Sequence, residues 1–213
     1  MIRQTVFGFK IERTEEGLTA HGGLALLAEY NHGIGLRDLA DRYIPGPGSN
    51  RGFKPSAFVD TLVLMLQGGG RSLEDIRELQ YEKGLMKLID IDKIPDPDSV
   101  GDWFRRMGNV QTGQMGLKGL GKVRDKLNQR ILNRDKTEAY TLDADATGIT
   151  AEKADAFYSY TGDKGYMPML GFLYELKLCI YDEFREGNTA PAFGQKSFYR
   201  ECKARMPKAK RIG

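Results

Sequence analysis

The chain has 213 residues, 40% hydrophobic and 29% charged, enough for one substantial core or one domain and part of a second, which excludes a disordered protein. Its longest apolar run, Leu62 to Leu66, is far too short for a bilayer span, and no apolar signal-peptide stretch opens the chain. Cys179 and Cys202 form no spaced pair, which excludes a zinc knuckle or disulfide framework and fits a reducing, cytoplasmic setting.

Up to about Lys136 the pattern is helical, with glycine and proline marking loops at 44–50 and 68–70. Leu24, Leu27 and Tyr30 predict a first helix, and Leu36, Leu39 and Tyr43 a second. The stretch 55–66 is apolar on nearly every side and predicts a central buried helix. Ser72 and Asp75 have capping-box spacing and open a helix through Tyr81 that carries Leu73, Ile76 and Leu79 on one side. Ser99 and Asp102 repeat that spacing and predict a short helix with Val100, Trp103, Phe104 and Met107, Trp103 being read as core. A long helix follows, with Leu120, Val123, Leu127 and Ile131 as its apolar stripe. His21 and His32 have no partner at metal spacing and read as surface or loop residues.

After Lys136 the period changes to two. The first strand, 137–147, contains Leu-Asp-Ala-Asp-Ala-Thr at 142–147. Alternation puts Asp143 and Asp145 on one face and Leu142, Ala144 and Ala146 on the other, with the aspartate α-carbons roughly 6 to 7 Å apart. Such a pair suits half of a divalent-cation site, the rest coming from elsewhere, or simply a polar face in solvent. An extended stretch at 157–162 comes next. A strand over 171–181 then places Phe172, Tyr174, Leu176, Leu178 and Ile180 together, which predicts an antiparallel meander. A polar turn at 182–188, a helix over 195–206 and a further strand beginning at Arg211 complete the order. The expected fold is α+β: a helical, DNA-binding domain over 1–136, followed by the first strands and helix of an incomplete second domain over 137–213.

The +3 net charge is unevenly spread. Residues 105–136 hold nine basic side chains against Asp125 and Asp135, and 195–213 hold seven against Glu201 alone. Arg105, Arg106, Lys118, Lys122 and Lys126 in the first region, and Lys208, Lys210 and Arg211 in the second, are candidate phosphate contacts. A solvated helix face has the same one-dimensional pattern, and no helix shows a recognition-helix signature.

Four stretches carry a family likeness: 142–147, Tyr-Thr-Gly-Asp-Lys-Gly-Tyr-Met-Pro at 160–168, Asp-Glu-Phe-Arg-Glu-Gly-Asn at 182–188, and Met-Pro-Lys-Ala-Lys-Arg-Ile-Gly at 206–213. In this order they resemble bacterial insertion-sequence transposases of the DDE type, more narrowly the transposase DDE domain group 1. The resemblance implies an RNase H-like core in which two aspartates and a glutamate hold two Mg²⁺ or Mn²⁺ ions for attack on a phosphodiester. It matches Asp145 to the first catalytic and metal-binding aspartate, Asp143 to a companion metal ligand or a group that supports the ligands without touching the metal, and Lys164 to a phosphate contact. Double-stranded DNA at transposon ends is the implied partner, along with another copy or a full-length transposase, and no membrane or small-molecule substrate is expected.

In the family, the second aspartate and the glutamate follow beyond the position of Gly213, so an N-terminal fragment that neither cleaves nor joins DNA alone is expected. The alternative is a non-catalytic DNA-binding module that occupies transposon ends or inhibits a full-length relative. A nucleotide-sugar enzyme built on the aspartate pair would need helical crossovers between parallel strands, which this order lacks.

Overall fold

The computed structural model describes residues 15–48 and 51–213. Ser49 and Asn50 of the expected 44–50 loop, and most of the stretch read for a signal peptide, lie outside them. The chain is α+β and divides into two compact units, the first ending at Gly119 and the second covering Leu120–Gly213. The division falls inside a helix, earlier than the 136/137 boundary expected from the change of period.

Among the described residues the first unit contains α1 (Gly22–Gly33), α2 (Leu36–Tyr43) and α3 (Pro55–Gln67). Leu24, Leu36 and Leu39 are buried as expected, whereas Tyr30 is exposed. Pro55 starts α3 where no intrahelical donor is needed, and the Asp41 carboxylate accepts the Ser56 N–H at 2.8 Å. Phe58, Val59, Leu64 and Met65 are buried along α3, but Leu66 faces solvent, so the helix is not buried all round.

The capping box at Ser72 and Asp75 is present, Asp75 Oδ2 accepting the Ser72 N–H at 2.8 Å. It opens a single 3₁₀ turn (Leu73–Asp75) that leads into α4 (Ile76–Tyr81), burying Ile76 and Leu79. A short α5 (Lys83–Leu88) follows, which the sequence reading missed.

The second capping site differs from expectation. Asp96 is the N-cap of α6 (Pro97–Met107), its Oδ1 accepting the Ser99 N–H at 2.8 Å, and Pro97 fills the first turn. Ser99 is therefore the recipient of the cap, and Asp102 instead pairs with Arg105. Val100, Trp103 and Met107 are buried, with Trp103 stacked on Phe58 at 4.9 Å between ring centroids, while Phe104 is exposed.

The long helix α7 (Met115–Arg134) buries a face rotated from the predicted stripe. Val123, Asn128 and Leu132 are buried, whereas Leu120 and Ile131 are exposed. The cause lies in the second unit: the Asn128 amide donates to the Cys179 carbonyl at 2.7 Å, and Leu132 joins that unit's core.

The second unit contains β1 (Ala139–Tyr140), β2 (Leu142–Ala146), β3 (Ile149–Thr150), β4 (Phe157–Tyr158), β5 (Lys164–Tyr166), β6 (Met169–Leu173), β7 (Leu178–Glu183), α8 (Gln195–Ala204) and β8 (Arg211–Ile212). The expected 137–147 strand is broken at Thr141 into β1 and β2. The expected 171–181 strand is a hairpin, β6 and β7, turning over 174–177 with Lys177 at φ 51°. Its buried face changes accordingly: Met169 and Leu173 point inward on β6, while Phe172 and Tyr174 are exposed. The 182–188 stretch is not all turn, since Asp182 and Glu183 complete β7.

β2, β6 and β7 form an antiparallel sheet in that order, and β1 pairs in parallel with β8. The Leu142 N–H donates to the Gly213 carbonyl at 3.0 Å, so the β1–β2 run has β8 along one side and β6 along the other. β3, β5 and β4 make a separate small sheet. The main core gathers Leu132, Tyr140, Met169, Leu173, Ile180, Phe198 and Cys202. α8 lies close over Gly171, where a β-carbon would sit 3.0 Å from both Cys202 Sγ and Phe198 Cε1. Burial pushes the Cys202 thiol up to about 11.

Candidate functional site

The acidic pair sits on β2. Asp143 and Asp145 are both exposed and Leu142 and Ala146 pack on the core, but Ala144, expected on the apolar face with them, is exposed as well. Asp143 is opposite Phe172, and Asp145 opposite Leu170, across the β6 ladder. Asp145 Oδ1 accepts the N–H of Ala146 at 2.9 Å, which fixes one carboxylate oxygen against the backbone.

Other carboxylates in this unit have partners of their own. Asp182 on β7, in register with Leu170 of β6, is paired with Arg124. Both Glu175 oxygens accept the Thr141 N–H at 3.0 Å, and backbone hydrogen bonding holds that carboxyl below its ordinary value. Glu183 takes the buried Arg185 guanidinium at 3.1 and 3.2 Å.

Among the described residues no group of three or more His, Cys, Asp or Glu side chains is placed to hold a metal ion. The donor set therefore does not fit a two-cation centre. Each such ion needs about six oxygens, and two exposed carboxylates leave most of that shell to water.

The basic residues fall into distinct settings. Arg105 and Arg106 are exposed on α6, Arg105 in an ion pair with Asp102. Lys118, Lys122 and Lys126 are exposed on α7, where four-residue spacing puts Lys122 and Lys126 on one face. Lys208 and Arg211 are exposed around β8.

Lys164 is half-buried at the start of β5, across from Tyr158 in a hairpin whose turn places Gly162 at φ 89°. Lys210 turns inward: its ammonium donates to the Asp135 carbonyl at 2.9 Å, the Thr137 carbonyl and Tyr140 Oη. That side chain ties the end of α7 to the entry of β8.

A second cluster escaped the sequence reading. Arg124 from α7 and Arg205 after α8 both lie over the Tyr181 ring, at 5.6 and 4.2 Å from its centroid. Asp125 accepts from Arg124 at 3.0 Å and lies 3.4 Å from Arg205. The arrangement joins α7, β7 and α8 through charge and cation–π contacts. Chemically, then, the second unit offers an exposed carboxylate pair on a sheet and cationic side chains suited to phosphates. No family model, curated protein or solved structure matches the chain.

Proposed function

We infer that the chain is a DNA-binding part of a DDE-type transposase, with Asp145 standing where the first triad aspartate belongs and Asp143 beside it. The observation that carries this is the strand order around the acidic pair. An antiparallel hairpin, β6 and β7, lies on one side of the β1–β2 run, and β8, reached through α8, lies parallel on the other. That order, with the acidic strand flanked on both sides, supports the RNase H-like core that the resemblance implies. The exposed cations of α6, α7 and the β8 region supply the contacts to duplex phosphates. Magnesium or manganese is the metal this class uses, but no catalytic step is assigned to the two carboxylates present.

The alternative, a non-catalytic module that occupies transposon ends, draws on the same donor set of two exposed aspartates. Both readings give the same first result. The purified 213-residue chain retards duplex DNA in a gel at low salt and, with Mg²⁺ or Mn²⁺ added, leaves supercoiled plasmid intact. Absence of any retardation would remove the DNA-binding proposal. Metal-dependent nicking that Asp145→Asn abolishes would overturn the non-catalytic assignment.

A further inference from the structure

The helical unit contains a cavity of about 220 Å³ that the acidic strand does not touch. Ala57, Leu64, Ile91 and Ile94 give it apolar walls, and Arg37, Lys54, Asp60 and Lys93 supply its charges. Only 9% of the Asp60 side chain is exposed. Arg37 Nε donates to Asp60 Oδ2 at 2.5 Å, and Oδ1 accepts no hydrogen bond from the described residues. Burial raises the Asp60 carboxyl above its ordinary value against the opposing pull of Arg37, as poor solvation of that group requires. The Thr61 hydroxyl is already engaged, donating to the Ala57 carbonyl at 2.7 Å. Lys54 and Lys93 are exposed, the latter with its ammonium 5.5 Å from the Phe53 ring centroid.

These features define a ligand. Three cations against one carboxylate favour an anion, the walls favour an apolar body, and the open carboxylate oxygen favours an N–H donor. At roughly 30 Å³ per water, the cavity has the room of about seven waters, which suits one ring system. We propose that the cavity binds a single nucleotide unit, free or unpaired at a DNA end. Its base lies against Leu64, Ile91 and Ile94 with an exocyclic amine donating to Asp60 Oδ1, and its phosphate rests on Lys54 and Lys93. The DNA-end source rests on the DNA-binding reading; the chemistry of the cavity does not.

The test is calorimetric titration of the full chain with dAMP, deoxyadenosine, dTMP and inorganic phosphate, and with a duplex carrying one unpaired 3′ adenine beside its flush form. Saturable dAMP binding is expected, with deoxyadenosine and dTMP weaker by roughly tenfold. Lys54→Gln and Lys93→Gln should each weaken dAMP by about tenfold with the circular dichroism unchanged. Tighter binding of the overhang duplex than the flush one, lost in Lys93→Gln, supports an unpaired DNA end as the source. Equal duplex binding with dAMP binding retained supports the free nucleotide. No saturable dAMP binding, or binding indifferent to both lysine variants, overturns the proposal. If dAMP binding fails while flush duplex still binds with a steep salt response, the cavity assignment alone falls. If dAMP binds and no duplex does, the cavity assignment stands and the DNA-binding reading falls.

Discussion

At the scale of single residues, a cation expected among the phosphate contacts can be engaged inside the fold. Lys210 illustrates this most directly, because its ammonium meets two carbonyls and a phenol inside the second unit. Lys210→Gln should lower folding stability by about 1–3 kcal/mol, read by denaturant titration, while leaving the salt slope of DNA binding as it was. A reduced slope at unchanged stability would return this lysine to the DNA contacts. Asp60 and Arg37 give a pH-dependent counterpart. Burial holds the native Asp60 carboxyl above its ordinary value of 3.8, so its contribution is fully present below that pH and is lost as pH rises through the native value. Arg37→Ala removes the group that opposes this rise, widening the window. The variant should lose about 1–3 kcal/mol near neutral pH and markedly less below pH 3.8. Urea titrations at the two pH values check the difference, and an equal loss at both would count against the pairing.

At the scale of elements, local signals made much of the fold legible and long-range ones hid the rest. Pro55 and the apolar run after it announce α3, and the aspartate alternation places Asp143 and Asp145 exposed on β2. The 174–177 turn was illegible because Tyr-Glu-Leu-Lys contains no glycine, proline, asparagine or aspartate, and the alternation runs straight through it. The buried face of α7 has no local signature because Asn128, a polar residue, is buried by a bond to a carbonyl 51 residues away. The Arg124 pair with Asp182, 58 residues apart, has no local signature either. One element contact is open to direct test, the approach of α8 to β6 over Gly171. Gly171→Val places methyl groups against Cys202 and Phe198 and should cost about 1–3 kcal/mol in a denaturant titration. A neutral outcome would mean that α8 can shift at no cost.

At the scale of the whole molecule, the proposed function rests on the acidic strand's place between antiparallel and parallel neighbours and on cations facing solvent. No helix among the described residues is long and apolar enough to cross a membrane. Under the proposed function, exposed lysines, Lys122 and Lys126 among them, meet duplex phosphates. Each phosphate contact releases counterions and contributes about 0.9 to the slope of log affinity against log salt. The most direct test is fluorescence anisotropy of a labelled duplex over a salt series, for the native chain and for Lys122→Gln/Lys126→Gln. A steep negative slope is expected, becoming shallower by about 1.8 in the double variant. A flat response in the native chain, or a slope that the double variant leaves unchanged, would contradict it.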